Sequence, residues 1–479
     1  MYIDCYKYGS KFLYRYFKDG LSTCAKVPYE SELFLERKSG DPDAFGFKDK
    51  KPLKRFTFDN SKNYTEFRDR YSDNLYGNVN ERVQFLSKVR VNKADSVLVK
   101  AWAIDIEVFS EDDFPSVEKA EKYPITVITI VSVDGKEKFT WMLDPRNRCS
   151  LKSDDSWTLM KFKEESEMLR SFRDFWISKL QDIHVLTGWN SKKYDLPYII
   201  KRMEYVLEDG EKTSSFLSPF GIVQEKTVNG EIEYRIAGLP QLDYMDLFKK
   251  FSIKPYPSYK LEDVARVEIK EGKHDHTEFA SFAEFYKKDI DKFVKYNIRD
   301  AEIIGLLDER VGYISLAVGI ATECRINYDD VFSPIRCWEA LLYNELKKDG
   351  YQFYPRTDEY REEYQGAWVM DPIKGLSRDI MSYDMTSLYP SVIRALNISP
   401  EMIIDGAKET SSVESMLKKE WYGQVAGEKA VDPSGSVFMT DSGQGVVPRL
   451  MKRLFEERVA ANTEKKKKIA ELKALEEEK

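Results

Sequence analysis

Histidine and cysteine are scarce in this chain: 479 residues include 3 histidines and 5 cysteines. The cysteines stand at Cys5, Cys24, Cys149, Cys324 and Cys337, with no CxxC pair and an odd count. That excludes the usual zinc or disulfide frameworks and fits a reducing compartment. So few histidines also leave little from which to build a histidine-based hydrolase. His274 and His276 flank Asp275 in a polar stretch, EGKHDHTEF, which reads as a solvated loop. Long apolar runs are missing too, so no membrane span is expected. The first residues, MYIDCYKYGSKFLYRYF, lack the apolar stretch of a signal peptide, and a cytoplasmic protein is expected. Positive charge is not in excess. There are 75 basic and 82 acidic residues, a net charge of −7. This excludes a general nucleic-acid coat but allows a local basic channel.

What is present is ordinary globular composition, 42% hydrophobic and 33% charged, at a length that implies several domains. Basic clusters occur at 48–55, 249–260 and 465–468. Each reads first as a solvated face. The second, KKFSIKPYPSYK, interleaves tyrosines that could stack on bases.

The pattern predicts a mixed α/β, multidomain fold. Residues 1–98 mix short strand-like runs with charged loops. Three apolar runs, 97–110, 125–133 and 138–144, follow as meandering strands. A helix over about 161–180, a short strand over 184–190 and a helix over 196–207 complete a ribonuclease-H-like layout. Two alternating runs around Asn229-Gly230 predict a hairpin over 224–236, because that pair tolerates the positive φ of a type I′ turn. Residues 284–311 have the spacing of one long amphipathic helix. Residues 378–385 read as a strand running into a turn and helix. The charged tail from about Pro448 reads as helix.

Two carboxylates, Asp105 and Glu107, share one face of the predicted strand, since side chains at i and i+2 point the same way. They repel unless a cation lies between them, and hard Mg²⁺ suits such oxygen ligands. Taken singly, Asp-x-Glu is more often a solvent-facing edge. Here it is followed by Asn190-x-x-x-Tyr194-Asp195 after a short strand, and by Tyr296-x-x-x-Asp300, four apart on one helical face.

The ordered set resembles the three motifs of the proofreading DEDD exonucleases, of the tyrosine-bearing subtype. Tyr194 departs from the phenylalanine often found there but keeps the ring. The resemblance implies a 3′→5′ exonuclease with two Mg²⁺ ions, Mn²⁺ serving as a substitute, about 4 Å apart over the scissile phosphate. It implies that Asp105, Glu107, Asp195 and Asp300 are ligands, with Asp105 shared, and that Tyr296 orients the attacking water. It also implies attack on frayed single strand, with the 224–236 hairpin near the primer–template junction.

A second string, Asp384-Met385-Thr386-Ser387-Leu388-Tyr389-Pro390-Ser391, resembles a motif of the family B DNA polymerases. The resemblance implies Mg²⁺ ligation by the Asp384 carboxylate and the Met385 carbonyl. It implies contacts from Ser387 and Leu388 amides to a dNTP triphosphate, and Tyr389 as a gate against a 2′ hydroxyl. Tyr364-Gln365-Gly366-Ala367, residues 331–342 and residues 397–403 also look like the T-even-like phage branch. Arg458 aligns with a triphosphate-contacting arginine, although a solvated helix face explains it as well. The expected domains are an N-terminal domain (1–98, completed by about 313–355), an exonuclease domain (99–312), part of a palm (356–445) and the start of a fingers helix (446–479).

The family's second metal string, Asp-Thr-Asp-Ser, and its Lys-x-x-x-Asn-Ser-x-Tyr-Gly helix do not occur in this sequence. Thr440-Asp441-Ser442 is preceded by Met439 and reads as a turn. The expectation is therefore the N-terminal part of a family B polymerase, in a truncated form or, as favoured, as the first chain of a split enzyme. A second polypeptide would then complete palm, fingers and thumb and carry any sliding-clamp contact. Primer–template and single-stranded DNA and dNTPs are the expected partners, and polymerase activity is not expected from this chain alone. A catalytically silent DNA-binding module and a stand-alone exonuclease are the alternatives. The first leaves the retained carboxylates unexplained, and the second leaves Asp384 to Ser391 unexplained.

Overall fold

The computed structural model describes residues 1–89, 99–111, 114–207, 213–275, 277–355, 370–408, 418, 425–426, 429–432 and 435–477. The Tyr364 to Ala367 string and His276 lie outside them. The chain forms two compact units. The first comprises Met1–Glu30, Asp59–Lys62 and Asn80–Ala340; the second comprises Ser31–Phe58, Asn63–Val79 and Leu341–Lys479.

The first unit opens with an antiparallel sheet of β1 (Tyr2–Tyr8), β2 (Lys11–Lys18) and β3 (Leu21–Pro28). Its centre is a five-stranded sheet in the order β10-β9-β8-β7-β11. These strands are β7 (Ala101–Val108), β8 (Ile125–Ser132), β9 (Lys138–Leu143), β10 (Trp157–Phe162) and β11 (Val185–Thr187). Strands β7 to β9 form the expected antiparallel meander, while β10 and β11 add in parallel at the two edges. The β10 strand was not anticipated. It is a short edge strand beside a charged loop and runs closely into the following helix.

Alternation along β7 divides the unit into layers. Trp102, Ile104, Ile106 and Val108 enter one core with Phe172 and Trp176 of α3 (Glu165–Lys179) and Ile199 and Ile200 of α4 (Asp195–Leu207). On the opposite side, Val127 and Met142 pack with Phe285 of α7 (Phe282–Lys288) and with Phe293, Val294 and Tyr296 of α8 (Ile290–Val311). Fully burying a large apolar side chain contributes roughly 1.5–3 kcal/mol, so each layer is a substantial source of stability. The remaining helices of this unit are α2 (Glu81–Lys88), α5 (Tyr244–Phe251), α6 (Leu261–Glu268) and α9 (Tyr313–Cys324).

The helix expected over 284–311 is broken at Asp289. That residue leaves helical geometry (φ −137°, ψ 80°) and its carboxylate accepts the Lys292 amide at 2.9 Å. Aspartate gains more as an N-cap than inside a helix, where its carboxylate competes with the backbone. The hairpin is present as β12 (Val223–Val228) and β13 (Glu231–Ile236), with Asn229 and Gly230 at φ 52° and 83°.

In the second unit, β4 (Ser31–Glu36), β5 (Ala44–Gly46), β6 (Pro52–Phe58) and β14 (Tyr351–Gln352) form one sheet. A second contains β15 (Ile403–Lys408), β16 (Val425–Ala426), β17 (Lys429–Val431) and β18 (Ser436–Met439). Helix α1 (Ser61–Arg70) lies mostly here, and α10 (Pro334–Lys348) ends here. Two further helices are α11 (Leu388–Ala395) and the 32-residue α12 (Val446–Glu477).

The strand expected over 378–385 is absent from the described structure. Ile380 and Met381 are exposed, and no described strand pairs with this segment. An extended run becomes a strand only when a neighbour takes its N–H and C=O groups. By contrast, the tail is helical as expected. Its start is fixed by side chains from the 397–403 segment. Glu401 accepts the Val446 amide at 2.6 Å, and Asn397 accepts the Gly445 amide at 2.9 Å. No described helix is long and apolar enough to cross a membrane.

Candidate functional site

Strand β7 buries its even-numbered residues on the α3–α4 side, so Asp105 and Glu107 project towards α8. One oxygen each from Asp105, Glu107 and Asp300 lies within 4.8 Å of the others, and this is a group able to hold a metal ion. Tyr296 and Asp300 are one helical turn apart on α8, as their spacing required.

Asp195 arrives from the other edge of β7. Parallel pairing between β11 and β7 ends at Thr187–Ala103. Beyond it, the Ile106 amide needs an acceptor, and Asp195 Oδ1 takes it at 3.0 Å. Asp195 therefore stands beside the three-carboxylate group, close enough for its charge to act on Asp105. The loop that delivers it is tightly seated. A Cβ on Gly188 would lie 2.6 Å from the Ile104 carbonyl oxygen, so only glycine permits this approach.

Burial and mutual repulsion make these carboxylates hard to ionise without a cation. Burial raises Asp105 well above the ordinary range, and the charges of Asp195, Asp300 and Glu107 add to it. Glu107 is pushed to about 8 by burial and then by Asp300. Asp195 is raised to about 7 by burial, against the lowering effect of the Ile106 hydrogen bond. Such a donor set, all hard oxygens, fits a divalent ion.

Three further residues complete the site, and none was expected from the sequence. Lys273 Nζ donates to the Tyr296 hydroxyl at 3.1 Å and forms a short ion pair with Asp300. It comes from the EGKHDHTEF loop, which carries no local signal of such a role; its neighbour His274 is exposed, as expected. Asn297, fully buried, donates from Nδ2 to Asp105 Oδ2 at 2.6 Å. Its place between Tyr296 and Asp300 was the available clue. Asp243 accepts the amides of Asn190 at 3.2 Å and Lys192 at 3.1 Å, and caps α5 through the Met245 amide at 3.0 Å. Burial raises it to about 6. The cap was legible in an Asp before an apolar-periodic segment; the grip on the Asn190 loop was not.

In the second unit, Asp384, Met385 and Tyr389 are exposed, and Leu388 is largely so. Ser387 takes a left-handed conformation (φ 53°) at the start of α11. Arg458 of α12 donates to Ser387 Oγ at 3.0 Å. Two residues singled out for the same triphosphate are thus neighbours, while Asp384 belongs to no group of three or more metal-ligating side chains among the described residues.

A sheet flanked by helices, with carboxylates gathered from separate segments, is the architecture of a polymerase exonuclease domain, joined here to part of a polymerase domain. Residues 70–264 match the model of the DNA polymerase family B exonuclease domain, and residues 335–477 match that of DNA polymerase family B. The first match contains Asp105, Glu107 and Asp195; Tyr296 and Asp300 follow it.

The chain belongs to the family B DNA polymerases. It is 28% identical to the DNA-directed DNA polymerase of Escherichia phage RB69 over 95% of this chain and 53% of that protein. It is 31% identical to the DNA-directed DNA polymerase of Enterobacteria phage T4 over 76% of this chain and 42% of that protein. A DNA polymerase 1 of Sulfurisphaera ohwakuensis is 28% identical over 69% of this chain and 37% of that protein. The chain spans about half the length of the phage relatives it matches.

Proposed function

We propose that this chain carries a metal-dependent 3′→5′ exonuclease that removes nucleotides from single-stranded DNA ends within a family B polymerase. The observation that carries this reading is the convergence of Asp105, Glu107 and Asp300 oxygens within 4.8 Å, with Asp195 alongside. These four residues would hold a pair of Mg²⁺ ions, which Mn²⁺ could replace. Bound there, the ions would supply hydroxide near neutral pH and stabilise the leaving 3′ oxygen.

The chain's own residues do the positioning. The Tyr296 phenol accepts from Lys273, an arrangement that suits donation of its own proton to the attacking water or a phosphate oxygen. Asn297 fixes one oxygen of Asp105, leaving the carboxylate plane in a single orientation. Asp243 holds the loop that delivers Asp195.

In the second unit, Asp384 and the Met385 carbonyl would take a metal. Ser387, Leu388 and Arg458 would face a dNTP, and Tyr389 would lie beneath its sugar. The Ser387–Arg458 hydrogen bond supports this grouping. Nucleotidyl transfer needs a second metal-binding carboxylate string, and the sequence holds none of the form Asp-Thr-Asp-Ser. That string, supplied from outside these 479 residues, would complete the polymerase site. The division into N-terminal, exonuclease, palm and fingers regions given above remains our assignment.

The test is direct. The purified chain with Mg²⁺ should shorten a labelled oligonucleotide from its 3′ end, and D105A/E107A should abolish this while DNA binding persists. It should not extend a primer. Parental digestion rates in the double variant would show that the metal site is wrongly assigned.

A further inference from the structure

Strand β13 has two chemically distinct faces. Ile232, Tyr234 and Ile236 point into the α4 core, so Glu231, Glu233 and Arg235 share the other face. Each of the three has a partner. Arg235 reaches Asp4 at 2.5 Å and Asp329 at 2.9 Å. Glu233 pairs with Lys192 at 2.8 Å, and Glu231 with Lys193 at 2.5 Å. Both lysines belong to the loop that ends at Asp195. Lys193 is two residues from it, so their Cα atoms are at most about 7.6 Å apart.

The pairs become more exposed to solvent from the base of the hairpin to its tip. Side-chain exposure is 7% and 0% for Arg235 and Asp4, 30% and 11% for Lys192 and Glu233, and 38% and 54% for Lys193 and Glu231. An ion pair that both partners share with water is exchanged at little cost, whereas an enclosed one is not. The loop itself is held from behind by Asp243, which takes the Asn190 and Lys192 amides. A change at the outer pair can therefore proceed by side-chain exchange without moving Asp195.

We propose that Lys193 is a shared cation. In the free chain it latches Glu231 and the hairpin tip. When a single-stranded DNA end enters the carboxylate site, a backbone phosphate replaces Glu231 on Lys193 and the tip is released. Lys192–Glu233 and Arg235 keep the base of the hairpin in place. The inference rests on the reading of this site as one that binds DNA ends.

The experiment uses the full chain, a (dT)12 oligonucleotide and EDTA, so that cleavage plays no part. Amide hydrogen exchange is followed at 227–231, and binding by anisotropy at several salt concentrations. In the parental chain, (dT)12 should accelerate exchange at the tip. E231Q should show a fast-exchanging tip without DNA and bind (dT)12 several-fold more tightly. K193Q should also free the tip but bind several-fold more weakly, with a shallower salt dependence, because one phosphate contact is lost. Slowed or unchanged tip exchange on adding (dT)12 would overturn the latch, as would equal affinity of E231Q and the parental chain. A chain that shows the latch but no Mg²⁺-dependent cleavage would overturn only the nuclease reading.

Discussion

Asn297 donates to Asp105 across 2.6 Å from a fully buried position on α8. The contact ties the helix that carries Tyr296 and Asp300 to the strand that carries Asp105 and Glu107. Asn297→Ala should leave the three carboxylates in place but let Asp105 rotate. Removing a residue that orients a metal ligand typically costs about 10–100-fold in metal affinity or activity. A Mn²⁺ titration followed by electron paramagnetic resonance, alongside exonuclease rates, would measure this; unchanged affinity and rate would refute it.

Lys273 is a cation that stands among the carboxylates. Lys273→Met should lower metal-free stability at pH 8 by roughly 2–3 kcal/mol. That is below the full cost of orphaning a buried charge, because Lys273 keeps some solvent contact. Mg²⁺ should restore the stability but not the full cleavage rate, since the Tyr296 hydroxyl has also lost the Lys273 contact. Urea titrations with and without Mg²⁺ separate the two effects.

The pH dependence of stability should run opposite to that of a salt-bridged carboxylate. Glu107 at about 8 and Asp195 at about 7 both lie above their unfolded values near 4. Between those limits the folded chain binds more protons than the unfolded one, so protonation stabilises it. The contribution is full below about pH 4 and is lost as pH rises through 7 to 8. In EDTA, thermal unfolding should therefore shift down by several degrees between pH 5.5 and pH 8.5. Glu107→Gln should flatten the slope, and Mg²⁺ should remove it. A rising or level melting temperature in EDTA would contradict the assignment.

Gly188→Ala should be disruptive, although it adds one methyl group. Its Cβ would meet the Ile104 carbonyl oxygen at 2.6 Å, and backbone cannot yield as a side-chain tip can. Overpacking of this kind costs roughly 1–3 kcal/mol. The strain falls on the loop before Asp195, so activity should drop together with urea stability. Full activity in a stable variant would show that the loop seats differently.

Much of this chain was legible from residue pattern. Alternation along β7 placed Asp105 and Glu107 on one face, helical spacing placed Tyr296 over Asp300, and Asn229-Gly230 marked the hairpin turn. These are local rules, set by backbone geometry and side-chain direction over a few residues. The break at Asp289 was also local, but helical periodicity on both sides masked the cap. The 378–385 segment misled for a different reason: strand propensity is realised only with a partner.

What tertiary structure alone decided is which distant side chains answer the carboxylates' charge. Lys273, Asn297 and Asp243 come from a loop, a helix and a helix cap. The hairpin's Glu231 and Glu233 meet Lys193 and Lys192 across about forty intervening residues. Sequence patterning prescribes the direction of a side chain within its own element. Electrostatic partnership depends on distance in space, and that is settled only when β7, α4, α8 and the hairpin pack together.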